Sequence, residues 1–308
     1  MEKTAKIFIA GHNGLVGSAL TSLLKKKGFN NLILVSKKEL DLTRQNEVDN
    51  FFSEKKPDYV FLCAAKVGNI RDNFNYPADF ILENLLIQTN VIFASYKYGV
   101  KKLMFFGTSC MYPKFAKQPM KESYLLTDLI EKTNEPYAIA KIAGWKLCES
   151  FNRQYNTKFI TVIPANLYGP NDRLDDSGHV VPSLFLKFYN AIKTNTPPVI
   201  WGTGKAKREF FYVDDCADAC LFLMDNYEEN FPVNVGTSVC ISIKELSGLI
   251  ARIVGYKGKI IFDKTKPDGA PIRLLDSTKI RKMGWKPSTS LETGLNRVWE
   301  WMQKKINF

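Results

Sequence analysis

The chain has 308 residues, 45% of them hydrophobic, with 43 Lys and Arg against 31 Asp and Glu and a net charge of +12. That length suits one large α/β domain or two intimate ones, and the basic surplus suits an anionic ligand. The lysines are dispersed, no apolar run approaches the ~18 residues of a membrane span, and no charged-then-apolar leader opens the chain; the expectation is a cytoplasmic protein that engages neither nucleic acid nor membrane.

In chain order, short apolar runs alternate with helical stretches. KIFIA (6–10) reads as a buried strand, followed by a glycine turn and the helical SALTSLLKKKG. LILVS (32–36) is a second strand, NEVDNFFSEKK a helix and DYVFLCAA (58–65) a third strand. LENLLIQTNVIFASYKYG (82–99) has helical periodicity and ends at a glycine; KKLMFFGTSC (101–110) and FITVIPANLYG (159–169) are later strands. The alternation predicts an α/β protein with a Rossmann-type, doubly wound parallel sheet. After Gly169, prolines and glycines (Pro170, Pro182, Pro197, Pro198, Gly202, Gly204) predict a smaller C-terminal α/β substrate lobe. The expected division is 1–170 and 171–308, with VDDCADACLFLMD (213–225) and VNVG (233–236), inside 209–240, packing back on the first domain.

Six cysteines are present, with no C-x-x-C spacing and only two histidines, so no zinc site is expected. Cys216 and Cys220, four apart on a helix, read as core.

GHNGLVG sets Gly11, Gly14 and Gly17 after the first strand and at the head of a helix. Glycine lets the backbone turn tightly and approach a pyrophosphate, and the helix N-terminus offers free N–H groups and a positive dipole end. The loop, with His12, Asn13, Leu15 and Val16 between its glycines, is the expected dinucleotide site, His12 reading as a loop residue without chemistry. It is no Walker A loop, because Val16 stands where that motif needs glycine and no Gly-Lys-Ser/Thr follows. Where an NAD site carries Asp or Glu for the ribose 2′-hydroxyl, the chain offers Lys37 and Lys38. A cation there favours the extra phosphate of NADP; the alternative is a solvated loop lysine. Asp41 reads either as an acceptor for the adenine amine or as a helix N-cap within DLTRQ.

In NEPYAIAK, Tyr137 lies four residues before Lys141, so on a helix they share a face. Alone, the spacing fits any surface helix. Behind a dinucleotide loop it has a second reading: a nearby ammonium favours the phenolate and should lower the Tyr pKa. A tyrosine so tuned can exchange a proton with an oxygen on a carbon undergoing hydride transfer. Thr108, at the end of the fourth strand, bonds either that oxygen or its own loop.

GHNGLVG, Thr108 and Tyr137-x-x-x-Lys141, in that order, resemble the extended short-chain dehydrogenase/reductase family. GTSCMYPKFAKQPMKES, TNEPYAIAKIAGWKLCESFNRQYN, PANLYGPND, WGTGKAKREFFYVDD and KPDGAP look like its GDP-L-fucose synthases, nearly end to end. The resemblance implies an NADPH-dependent enzyme that takes a GDP-linked 4-keto sugar, GDP-4-keto-6-deoxy-D-mannose, to GDP-L-fucose. It would epimerise C3 and C5 and then reduce the C4 ketone in one site. Both carbons are α to the carbonyl, so their protons become acidic once it is polarised. Cys110 matches the family's epimerisation cysteine, and His179, in SGHVVP, its partner histidine; a thiolate can remove a proton and an imidazolium return one to the opposite face. Tyr137 would polarise and later protonate the C4 oxygen, with Lys141 and Thr108. The implied NADP(H) positions are the glycine loop, Lys37, Asp41, Ala64, Ala65, Phe106, Gly107, Thr108, Ser109, Lys141, Pro164, Ala165, Asn166, Leu167 and His179. The implied substrate positions are Lys187, Trp201, Arg208 and Asp268, an aromatic and two cations that suit a nucleotide diphosphate. Without the resemblance, Cys110 reads as a buried strand-end cysteine, His179 as a loop histidine, Arg208 as surface and Trp201 as lobe core.

Four positions depart from the family pattern. Thr108 replaces a serine, Asn13 a loop arginine, Asn69 the second glycine after Lys-Val, and Lys187 a pocket arginine, with loss of bidentate phosphate geometry. The last two leave room for a modified sugar such as a GDP-6-deoxy-4-keto-heptose. Competing readings are a plain C4-reductase, an NAD-retaining 4-epimerase and a silent NADP-binding protein. The family also implies a homodimer built from helices 82–99 and 137–155, in which Ala140, Ala143 and Gly144 allow close approach or serve packing within the chain.

Overall fold

The computed structural model describes residues 1–68, 70–174, 178–266 and 268–305. Its elements in chain order are β1 (Ile7–Ala10), α1 (Leu15–Lys26), β2 (Leu32–Ile33), α2 (Gln45–Lys55), β3 (Tyr59–Leu62), α3 (Ile70–Asn75), α4 (Pro77–Lys97), β4 (Lys102–Phe106), α5 (Glu135–Tyr155), β5 (Phe159–Pro164) and β6 (Asn166–Tyr168). There follow α6 (Val180–Thr194), β7 (Val199–Trp201), β8 (Lys207–Tyr212), α7 (Val213–Asn226), β9 (Val233–Val235), β10 (Cys240–Ser242), α8 (Ile243–Val254), β11 (Ile261–Asp263), β12 (Ile272–Arg273), α9 (Thr278–Lys282) and α10 (Leu291–Lys305).

Among the described residues the central sheet has six parallel strands in the order β2-β1-β3-β4-β5-β9. Side chains alternate across a strand. In β1, Ile7 and Ile9 enter the layer formed with α1 and α7, while Phe8 and Ala10 enter the layer formed with α2 and α4. Both faces are therefore covered, as a parallel ladder requires, and a one-residue slip would exchange the two layers. A third apolar cluster joins α6, α8 and α10 to Phe210 and Tyr212 of β8. There β8 pairs with β6, β10 and β12, and β7 pairs with β11.

The sequence-predicted second strand is shortened to Leu32–Ile33. At Ser36 the chain turns: its N–H donates to Glu39 Oε2 and its carbonyl accepts from Glu39 and Leu40, which takes the segment off the ladder. The predicted strand 159–169 divides in two. β5 pairs in the central sheet as far as Pro164, Ala165 donates to Val235 O, and β6 then pairs with β8. The 213–225 segment is helical and the 233–236 strand closes the central sheet beside β5. Cys216 and Cys220 are buried in the α1/α7 layer. Ala140 and Gly144 serve packing within the chain: Gln88 Nε2 donates to Ala140 O at 2.6 Å, and a Cβ at Gly144 would lie 2.3 Å from Phe105 Cζ.

Because β1, β3, β4 and β5 run parallel, the loops that follow them, at Gly11, Ala64, Thr108 and Ala165, meet along one carboxyl edge. The strand order reverses there, and doubly wound sheets bind ligands at such a reversal.

Candidate active site

The glycine loop is built by two close approaches. Gly11 has φ +84°, and a Cβ there would lie 2.8 Å from Ala64 N; at Gly17 it would lie 2.2 Å from Gly11 O. Gly14 differs, since its Cβ would come no nearer than 3.4 Å to Gly11 O. The protein's own packing thus leaves room over Gly14, at the N-cap of α1. That helix has no side-chain cap and no acidic residue in its first turn, so its N–H groups and positive end face outward. His12 buries Nδ1 without a partner. An open anion cradle with an orphaned imidazole nitrogen fits a dinucleotide pyrophosphate.

Lys37 is exposed and lies 3.8 Å from Glu83 of α4. Asp41 accepts from Thr43 N and Oγ1 at 3.0 and 2.8 Å, which holds its carboxyl below the usual carboxylate range. It is not a helix N-cap: α2 starts at Gln45 with Arg44 at that position.

Tyr137 and Lys141 sit in the first turns of α5, where Pro136 pre-sets the helical backbone. Both face β4. Lys141 is buried, with Nζ 4.7 Å above the Phe105 ring and 5.9 Å from the Tyr137 ring centre; Tyr137 meets Phe80 edge-on. The expected fall in the Tyr137 pKa does not occur. Burial raises the phenol, and the charge of a Cys110 thiolate raises it further, while burial pulls Lys141 down to about 8. Removing water penalises the charged form of each group, so both move toward neutrality and Tyr137 is held as a proton donor.

β4 ends at Phe106, and Gly107 follows where a Cβ would lie 2.9 Å from Met111 Sδ. Thr108 heads a short 3-10 turn, its Oγ1 accepting from Cys110 N at 3.3 Å. Its hydroxyl therefore bonds its own loop as acceptor and keeps its proton to donate. Cys110 Sγ accepts from Asn134 Nδ2 at 3.0 Å, and Ser109 O accepts from Arg273 at 3.0 Å. Sequence reasoning missed both partners. Asn134 carried a signal, since it stands immediately before the Glu-Pro that opens α5. Arg273, 164 residues from Ser109, carried none. Ser109, Ala165, Asn166 and Arg273 line one crevice, with Asn166 Nδ2 donating to Glu209 O at 2.9 Å; the ends of β4 and β5 thus meet there.

His179 is the N-cap of α6, and its Nδ1 lies 2.9 Å from Asp172 Oδ1. The hydrogen bond and charge of Asp172 raise the imidazole pKa. Ser177 of the SGHVVP motif, and Asn69, lie outside the described residues.

At the expected nucleotide end, Trp201 is 65% exposed, which corrects its reading as lobe core; Lys266 Nζ lies 5.6 Å from its ring centre. Arg208 donates to Ala270 O at 2.7 Å, and burial and the nearby Arg273 lower its pKa. Asp268 accepts from Thr203 N and Oγ1, both at 2.6 Å, and so clamps the loop after Trp201. Lys187 Nζ donates to Val199 O at 2.7 Å.

The model of the NAD dependent epimerase/dehydratase family matches residues 7–236. The chain is similar to the putative GDP-L-fucose synthase 2 of Arabidopsis thaliana, at 53% identity over 99% of this chain and 94% of that one. It is similar to the GDP-L-fucose synthase of Escherichia coli K12, at 48% identity over 96% of each. Among solved structures it resembles the GDP-mannoheptose C4 reductase of Campylobacter jejuni with NADP bound. That match has a TM-score of 0.91 and 42% identity over 98% of this chain and 99% of that one.

Proposed function

The chain belongs to the NAD dependent epimerase/dehydratase family, and from that premise we propose that it has the activity of the GDP-L-fucose synthases: NADPH-dependent conversion of GDP-4-keto-6-deoxy-D-mannose to GDP-L-fucose. The observation that carries the double reaction is geometric: Cys110 Sγ is held at 3.0 Å by Asn134 Nδ2, at the N-cap of the helix that bears Tyr137. Ketone reduction has no use for a thiol; epimerisation needs a base beside the group that polarises the carbonyl.

The glycine loop, Lys37, Ala64, Ala65, residues 106–109 and residues 164–167 would hold NADP(H), with Lys37 toward the 2′-phosphate. When bound, NADPH supplies the hydride that reduces C4. Tyr137 donates a hydrogen bond to the C4 oxygen and so acidifies the protons at C3 and C5. The Cys110 thiolate takes one: the C–H bond breaks, an S–H bond forms, and the electron pair moves to the C4 oxygen as an enolate. His179, whose proton Asp172 favours, returns a proton to the opposite face: the enolate pair forms the new C–H bond as the C4 carbonyl is restored. In the reduction Tyr137 gives its phenolic proton to the C4 oxygen, while Lys141 and Thr108 support its hydroxyl. Arg208 and Trp201 would take the GDP.

A second reading keeps the fold and changes the sugar to a GDP-6-deoxy-4-keto-heptose. Lys187 at an arginine position, turned to Val199 O, and the likeness to a heptose reductase favour it. NADPH oxidation measured on both sugars separates the two: faster turnover of the hexose supports the first, faster turnover of the heptose the second.

The same proposal divides the chain near residue 170, places it in the cytoplasm with reduced thiols, and pairs two copies through α4 and α5. Leu82, Leu86, Phe93 and Ile139 are exposed apolar residues on those helices. Among the described residues no helix is long and apolar enough to cross a membrane.

A further inference from the structure

Asn134 occupies the N-cap of α5, where an asparagine side chain ordinarily accepts an N–H from the first turn of its own helix. It makes no such bond. Its Nδ2 instead donates to Cys110 Sγ at 3.0 Å, and its Oδ1 is buried without a partner. Both omissions cost stability, so the amide is arranged for the sulfur at the expense of the helix. The main chain of Cys110 is already fixed by Thr108 Oγ1 at 3.3 Å. What remains free in a cysteine is rotation about Cα–Cβ, and the bond from Asn134 fixes that. It also ties the loop after β4 to the head of α5, three residues before Tyr137.

We propose that Asn134 is a positioning residue for epimerisation: its amide N–H holds the Cys110 sulfur in place at the head of the helix that bears Tyr137. When the proton moves from carbon to sulfur, the bond weakens as the thiol forms. This inference rests on the role given to Cys110 above.

Two variants test it. Asn134→Asp keeps the size and the acceptor oxygen, loses the donor and sets a carboxylate beside the sulfur. Asn134→Leu keeps the bulk and loses both polar atoms. Three quantities are read in each: deuterium wash-in at C3 and C5 in deuterated water with NADP⁺, the fraction of unepimerised C4 alcohol formed with NADPH, and carboxamidomethylation of Cys110 by mass spectrometry. Wash-in should fall roughly tenfold, the size of losing one hydrogen bond, with alkylation falling in step. The unepimerised fraction should rise while the protein still binds NADPH. Should Asn134→Leu not fold, Asn134→Asp decides alone. Unchanged wash-in overturns the proposal. So does a parallel fall in wash-in and C4 reduction with the product ratio constant, because a merely structural residue at the head of α5 would disturb Tyr137 and both reactions together. A wild-type protein that takes up no ring deuterium overturns the role of Cys110 itself; wild-type uptake matched by both variants overturns only that of Asn134.

Discussion

Asp172 lies beneath His179, its carboxylate oxygens 2.9 and 3.1 Å from the imidazole Nδ1. The aspartate is buried, with 3% of its side chain exposed, while 55% of the histidine side chain is exposed. A fixed negative charge inside thus supports a proton on the ring outside, which suits a general acid.

That pair predicts a pH dependence. Asp172 raises the folded-state pKa of His179 above the ordinary value of 6.5. Its stabilising contribution is therefore full below the unfolded value and is lost as pH rises through the folded one. Asp172→Asn should bring the imidazole midpoint back toward ordinary, and should destabilise the protein more near pH ~5.5 than near pH ~9. With only two histidines in the chain, NMR of the imidazole protons reads the midpoint directly. A wild-type His179 midpoint at or below the ordinary value contradicts the pairing.

Lys141 runs the other way. Burial lowers its pKa from 10.5 to about 8, so the folded state binds its proton less tightly than the unfolded state does. The resulting destabilisation is full below about pH 8 and is relieved as pH rises toward 10.5. Lys141→Met should abolish ketone reduction and also stabilise the fold at pH ~7 by roughly 1–3 kcal/mol, less at pH ~10. Denaturant titrations at the two pH values check it; a pH-independent difference would refute the assignment.

Periodicity made the parallel sheet legible, because strands buried on both faces are written as continuous apolar runs. KIFIA and DYVFLCAA announced β1 and β3. It did not reveal that LILVS would leave the ladder at Ile33, since the turn at Ser36 that removes it is closed in part by the Glu39 side chain. The glycine loop was legible because Gly11 and Gly17 are required by contacts a Cβ would violate. The charge state of Tyr137 was not. Spacing places Lys141 on its face, but burial, which spacing does not encode, decides the sign of the shift. Asp172 and Asn134 went unread for a different reason: each acts through a neighbour fixed by the tertiary fold, seven residues away in one case and twenty-four in the other.

Lys37 tests the cofactor preference. Its pairing with Glu83 spans 3.8 Å at an exposed site, and such pairs are worth ~0–1 kcal/mol, so the lysine can turn to a 2′-phosphate with little loss. Lys37→Ala should weaken NADPH binding about tenfold and leave NADH binding nearly unchanged, as a lost charge-assisted phosphate contact implies. Fluorescence titration of both cofactors reads it. Equal losses would return Lys37 to the status of a solvated surface residue.

Gly144 tests the packing of α5 on the sheet. A Cβ there would meet Phe105 Cζ at 2.3 Å and Gln88 Oε1 at 2.8 Å, and Phe105 is fully buried. Gly144→Ala should destabilise by ~1–3 kcal/mol, the usual penalty of overpacking, despite the better helix propensity of alanine. A thermal melt showing equal or greater stability would mean that α5 shifts freely.

The central claim is that one site both epimerises and reduces. The measurement is NADPH oxidation with GDP-4-keto-6-deoxy-D-mannose in deuterated water, with the product read by NMR. GDP-L-fucose carrying deuterium at both C3 and C5 is the predicted result. Oxidation that leaves no deuterium on the ring would contradict it, making the protein a plain C4-reductase and removing Cys110 and His179 from the chemistry.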